Sequence, residues 1–157
     1  MTSREDVVAC LTNLRDDLIA LAEGASDSAW SAPTYEDGWT AREVLSHIAS
    51  TSGAANFILM MARAGPSGAG GAAFDNDAFN RPQVAMRAER TVAQVLDEIR
   101  SNIQRDVQAV QSAPGDLLQQ HFRAPWDVEG TVAEVIVTSV NGHLGGHVAD
   151  LRGALAT

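Results

Sequence analysis

Asn141-Gly142-His143-Leu144-Gly145-Gly146-His147 is the stretch around which the rest of the chain is best read. Two histidines four residues apart lie on one face of an α-helix, about 6 Å apart, so both imidazoles can reach one metal ion. They share a helix-period apolar face with Val132, Val135, Ile136, Val140 and Leu151, which points both rings inward. A third ligand has to come from elsewhere in the chain, and His47, in Trp39-Thr40-Ala41-Arg42-Glu43-Val44-Leu45-Ser46-His47, is the candidate. His121, the remaining histidine, sits between Gln120 and Phe122 just ahead of Pro125 and reads as an exposed loop residue.

Working outward, a repeated start signal divides the chain into helices. Thr-x-x-Glu/Gln occurs at Thr2/Glu5, Thr40/Glu43, Thr91/Gln94 and Thr131/Glu134, each just before a helix-period apolar pattern. In such a capping box the hydroxyl accepts from the third helical amide and the carboxylate or amide side chain reaches back to the cap amide, satisfying donors that the helix leaves orphaned. The spacing predicts four helices, near residues 3–23, 41–63, 92–111 and 132–155. Val7, Leu11, Leu14, Leu18 and Leu21 mark the buried face of the first, and Val95, Leu96, Ile99, Ile103, Val107 and Val110 that of the third. Trp39 precedes the Thr40 cap and Val44 is the fourth helical position, the pairing of a hydrophobic staple; this reading is preferred to a ligand-stacking one. His47 falls at the edge of the second helix's apolar stripe, where a side chain can face both a partner helix and a cavity.

The depth of the three histidines can be compared by arithmetic. At a rise of ~1.5 Å per residue, His47 lies roughly 10 Å from the start of the second helix, and His147 and His143 roughly 12 and 18 Å from the end of the fourth. Antiparallel second and fourth helices bring the three to nearly one level, whereas parallel ones miss by roughly 8 to 13 Å. That arrangement makes the second and third helices parallel, and the long interval 65–90 supplies the crossover such a pair requires.

Composition narrows the function classes. A 157-residue chain with 45% hydrophobic residues can bury a core within one domain, spanning 1–157, and its 5% aromatic content with many alanines suits close helix packing. The net charge of −9, with every basic residue an arginine, repels phosphate backbones and anionic surfaces, which disfavours nucleic acid and membrane as partners. Cys10 is the single cysteine, so no internal disulfide can form; it falls in the first helix's apolar stripe and reads as inert packing. With no apolar signal core near Met1 and no run approaching ~20 apolar residues, the chain is expected to be soluble and cytoplasmic.

The interval Gly65–Gly71 is rich in Gly, Pro, Ser and Ala and reads as a mobile loop. Asp75, Asn76 and Asp77 lack the glycine and terminal glutamate of a calcium loop and are read as a wall of the site. Gly142, Gly145 and Gly146 weaken the fourth helix by up to ~1 kcal/mol each relative to alanine, and allow either a close approach or a local irregularity. They match neither phosphate-binding glycine pattern.

Gly38-Trp39-Thr40 leading into the helix that carries His47, followed far along the chain by His143-x-x-x-His147, resembles the DinB-like four-helix bundles, including the N-terminal domain of mycothiol-dependent maleylpyruvate isomerases. The resemblance covers nearly the whole chain. It implies an all-α bundle with helix order 1-2-4-3, a divalent metal (zinc or nickel) on His47, His143 and His147, and a homodimer. Several such proteins are transferases or isomerases that use mycothiol, bacillithiol or glutathione on a small-molecule substrate. Two-domain maleylpyruvate isomerases carry a further C-terminal domain that a chain stopping at Thr157 lacks, so that particular activity is not expected. Two function classes follow: a metal-dependent thiol S-transferase or isomerase acting on a small electrophile, and a non-catalytic bundle that holds a metal or small ligand. Asp150, one turn past His147, is read either as an orienting partner of that imidazole or as a surface or capping group.

Overall fold

Local capping chemistry sets where the main helices begin in the computed structural model, which describes residues 1–34, 38–65 and 76–156. The helices are α1 (Arg4–Gly24), α2 (Ala41–Thr51), α3 (Ala54–Ala64), α4 (Asn76–Ala85), α5 (Val92–Ser112), α6 (Gly115–Gln119), α7 (Val132–Ser139) and α8 (Gly145–Leu155). A 3-10 turn (Asp27–Ser31) follows α1, and a π-helical turn (Val140–Leu144) joins α7 to α8. The fold is therefore the expected all-α four-helix bundle, its rods being α1, α2 with α3, α5, and α7 with α8.

Thr40, Thr91 and Thr131 each close a capping box with Glu43, Gln94 and Glu134, as their spacing predicts. The first box is displaced by one residue: Ser3 and Asp6 form it instead of Thr2 and Glu5, with Asp6 N donating to Ser3 Oγ at 3.1 Å. Either pair carries the required oxygens, and the one that puts Val7, Leu11, Leu14 and Leu18 into the core prevails.

The directions of the rods follow from side-chain bonds. Arg4 in α1 donates to the carbonyls of Val110 and Gln111 at the end of α5, so these two are antiparallel. Arg42 in α2 donates to Ala88 O ahead of α5, and Asn102 further along α5 donates to Ala49 O, so the second and third rods are parallel. Packing of α2 on α8 and of α3 on α7 makes the second and fourth rods antiparallel, as the histidine depths require.

Around the bundle, however, α1 packs between α5 and the fourth rod, while α2 and α3 pack between the same two on the far side. The order is 1-3-2-4, which corrects the 1-2-4-3 order drawn from resemblance. The cause lies in α5, whose apolar face is wide enough to cover both α1 and the α2–α3 rod, from Val95 through Ile103 to Val110.

Three further departures shape the site. The second rod is not continuous: it breaks at Ser52 and Gly53, and Asp106 of α5 caps the restart, accepting from Ala55 N at 3.0 Å and Asn56 N at 2.9 Å. Asn102, one turn earlier on α5, secures the other side of the break through Ala49 O and Ser52 Oγ at 3.0 and 2.9 Å. Asp106 is only 1% exposed, so this cap lies inside the bundle. Although Ala41–Ala64 as a whole is long and apolar enough to cross a bilayer, 56% of its most apolar window is buried in the protein, as in a core helix.

The connection before the fourth rod, expected to be loop, contains a hairpin of β1 (His121–Arg123) and β2 (Glu129–Thr131), with Phe122 opposite Gly130. A Cβ on Gly130 would come within 2.9 Å of the Glu134 carboxylate, which is the capping group of Thr131, so the hairpin can dock this closely only with glycine there. His121 belongs to a strand but is exposed as expected, 3.1 Å from Glu129 across the ladder. Part of the interval 65–90 is also helical, since α4 packs against α2. The mobile-loop reading of Gly65–Gly71 and the wall assigned to Asp75, Asn76 and Asp77 fall largely outside the described residues.

Candidate metal centre

The Thr40 capping box fixes the phase of α2, and two turns later His47 emerges toward the fourth rod, 2% exposed. His143 comes from the π-helical turn and His147 from the first turn of α8. The structure brings all three together. His47 Nε2 lies 3.1 Å from His143 Nε2, and one nitrogen from each ring falls within 4.8 Å of the others. The ring centroids are 4.8 to 5.2 Å apart, and the planes meet nearly at right angles. Three imidazoles edge to face around a common point is the arrangement that a three-histidine ion site requires.

Their burial is unequal. His47 and His147 are buried, whereas His143 is exposed, which corrects the expectation that both histidines of the fourth helix point inward. The π-helical turn is the reason: its widened backbone interrupts the 3.6-residue phase on which that expectation rests. His143 therefore forms the open side of the cluster.

Burial is the main cause that drives the His47 pKa down to about 4, with the neighbouring His147 and His143 adding to it. The His143 pKa is lowered in the same way, first by burial of its ring face and then by His147. Both effects favour the neutral imidazole, which is the form that binds metal. His47 Nδ1 is buried with no hydrogen-bond partner among the described residues, while Nε2 faces another imidazole. A buried ring so placed is unfavourable by itself and is relieved by an ion between the rings, so the residues present fit a divalent metal.

Asp150 is a buried neighbour of His147 and not a surface group. Its carboxylate is 7% exposed, which removes the surface alternative, and stands 3.6 Å from His147 Nδ1, close to that ring but longer than a hydrogen bond. Asp150→Ala should weaken zinc affinity about 10- to 100-fold, measured by competition with a chromophoric chelator; an unchanged affinity would reduce Asp150 to a structural group. Trp39 was read as a staple, but its ring also lies 5.3 Å from that of His47, tilted by 60°, so it walls the buried side of the cluster. Its place two residues before the Thr40 box's first helical turn was the available signal.

A separate cleft of about 380 Å³ runs between α1 and the fourth rod, lined by Cys10, Asn13, Asp17, Asn141 and Arg152 among others. It lies on the opposite face of the fourth rod from His143 and His147, and so is not the cavity of the metal centre. Cys10 donates to Asn141 Oδ1 there at 3.2 Å, and burial raises its thiol pKa, which agrees with an unreactive packing role.

Fold and cluster together define a DinB-like four-helix-bundle protein with a three-histidine centre suited to a metal. The family model of the mycothiol maleylpyruvate isomerase N-terminal domain matches residues 11–152, and the chain belongs to that family. Among solved structures it is similar to YfiT from Bacillus subtilis, described as a probable metal-dependent hydrolase with an unusual four-helix bundle topology. That likeness has a TM-score of 0.62 at 15% identity and covers 98% of this chain and 87% of the other, which establishes the fold alone. No curated protein matches the chain.

Proposed function

We propose that the protein is a divalent-metal-dependent enzyme that activates a low-molecular-weight thiol of the mycothiol type and uses it to transfer to, or isomerise, a small electrophile. The observation that carries this reading is the three-imidazole cluster with one exposed member, set in a chain of the mycothiol maleylpyruvate isomerase N-terminal family. His47, His143 and His147 hold the ion, zinc or nickel. A divalent ion on three neutral imidazoles keeps its full charge and lowers the pKa of a thiol or water at its open position.

The chain's own groups divide the remaining work. Asp150 sets a buried carboxylate 3.6 Å from His147 Nδ1, beside the ring whose other nitrogen would serve the ion. Trp39 and the core side of α2 keep water from His47, so access is confined to the side of His143. The electrophile enters from that same side. A bound water in place of the thiol would give the hydrolytic chemistry for which YfiT is described, and hydrolysis of an electrophile in a thiol-free control would mark that alternative.

Metal-loaded protein is incubated with mycothiol, bacillithiol or glutathione and a panel of electrophiles, in parallel with His143→Ala. Thiol conjugates or isomerised products above the variant's background are expected. If no conjugate forms and no thiol perturbs the spectrum of a cobalt-substituted sample, the transferase reading is lost and a non-catalytic metal-binding bundle replaces it.

A further inference from the structure

Of the three imidazoles, His47 is the one whose far nitrogen is left without an acceptor. A histidine that serves a metal ordinarily donates its second N–H to a carboxylate, a carbonyl or water, and that bond fixes the plane of the ring. His147 has the Asp150 carboxylate 3.6 Å from its Nδ1, and the exposed His143 ring is open to water. His47 has neither: it is 2% exposed, and its Nδ1 is buried with no hydrogen-bond partner among the described residues. Another contact must hold the plane of this ring for its Nε2 to face His143 as it does.

That contact is Trp39, whose ring centroid lies 5.3 Å from that of His47 with the planes at 60°. Tilted pairs at this separation are favourable, since the electron-rich face of one ring meets the positive edge of the other. The His143 and His147 rings also stand edge to face with His47, but they belong to the donor set itself. Among the described residues, Trp39 is the aromatic neighbour of His47 that lies outside that set.

The capping of α2 does not explain this contact. A hydrophobic staple pairs the residue before the cap with the fourth helical position, here Trp39 with Val44, whereas His47 is the seventh, almost a turn deeper. The backbone that carries Trp39 is clamped as well. Its carbonyl accepts from Thr34 N at 2.9 Å and from Thr34 Oγ1 at 2.8 Å, Pro33 pairs with Thr40 as an isolated bridge, and Ala41 N donates to Ala32 O at 2.9 Å. Gly38, with φ of 78°, makes the left-handed turn into this clamp. The indole is thereby fixed relative to the start of α2, the same helix that sets the phase of His47.

We propose that Trp39 is the positioning residue of His47: its indole holds the imidazole plane that a hydrogen bond holds at other metal-binding histidines, so the ring has little freedom left to lose when an ion binds. The assignment rests on the metal-centre reading above and adds a residue that acts on the ion only through His47.

The test compares the whole wild-type chain with three variants. Trp39→Leu keeps an apolar group for Val44 and removes the ring, Trp39→Phe keeps a ring, and Val44→Ala breaks the staple from its other end and leaves the indole in place. Zinc affinity is measured by competition with a chromophoric chelator, the cobalt absorption bands report ligand geometry, and the Tm of the metal-free protein reports folding. Trp39→Leu should bind zinc about tenfold more weakly, the lower end of the range for outer partners of ligating histidines, and its cobalt bands should shift or lose intensity. Trp39→Phe should recover wild-type cobalt bands and an affinity within about threefold of wild type. Val44→Ala, at a fully buried position, should lower the metal-free Tm and leave zinc affinity unchanged. If Trp39→Leu does not fold without metal, Trp39→Met takes its place.

A lower metal-free Tm in Trp39→Leu with wild-type zinc affinity and cobalt bands would reduce Trp39 to a staple. Equal losses of affinity in Trp39→Leu and Trp39→Phe, or a loss in Val44→Ala as large as that in Trp39→Leu, would assign the effect to packing volume and overturn the proposal as well. A wild type that takes up neither zinc nor cobalt would remove the metal centre itself, and the positioning role with it.

Discussion

Replacing His47 by alanine should reduce the metal carried by protein purified without chelator or histidine tag to below about a tenth of the wild-type content, as expected when one of three protein ligands is lost. The stabilisation of the wild type by added zinc or nickel, seen as a rise in Tm, should vanish in the same variant. His47 is the informative member because it alone joins the second rod to the fourth across the cluster, and its ring is buried at 2% exposure. His143→Ala removes an exposed ring and should be the milder change for folding. Equal metal content in wild type and His47→Ala would place the ion elsewhere, or show that none is held.

The second large effect is expected far from the histidines. Asp106→Ala strips two consecutive buried amides, those of Ala55 and Asn56, of their acceptor and should destabilise the protein by about 2–3 kcal/mol at pH 5, seen as a lower urea midpoint at constant m value. The pH dependence separates bonding from charge. Burial pushes the Asp106 carboxyl up to about 6 from an ordinary 3.8, against the pull of the two amide donors. In that window the folded protein keeps a proton that the unfolded chain releases. The stability so contributed is complete below about pH 4 and is lost as pH rises through 6, so wild type should lose stability relative to Asp106→Asn over this range. A constant difference between the two would mean that the amides hold the carboxylate ionised throughout.

What could be read from the sequence divides along the range of the interactions involved. The starts of α2, α5 and α7 were readable because a capping box is complete within four residues, at Thr40, Thr91 and Thr131. The meeting of His47 with His143 and His147 followed from rise per residue and one choice of helix direction. The break at Ser52–Gly53 was not readable, since the group that stabilises it, Asp106, is about fifty residues away and looks like a polar intrusion in an apolar stripe. Nor was the hairpin, whose strands of three residues are too short for an alternating pattern to register. The order of rods around the bundle depends on the breadth of apolar faces and not on their existence. The glycines at 142, 145 and 146 left close approach and an irregular turn equally open; the turn is what forms, and its leaving His143 exposed while His147 is buried was not legible in them.

The histidine cluster also has a kinetic meaning. His143 and His147 adjoin along one rod, whereas His47 is 96 residues from His143 in the chain. An ion that meets the chain early in folding finds at most a two-imidazole pair, formed whenever that stretch is transiently helical. The third imidazole arrives only when the loop between the two rods has closed, an event whose entropy must be overcome before any contact across it rewards the chain. The complete set of donors therefore does not exist on any local fragment, and tight metal uptake during refolding would time the closing of the bundle.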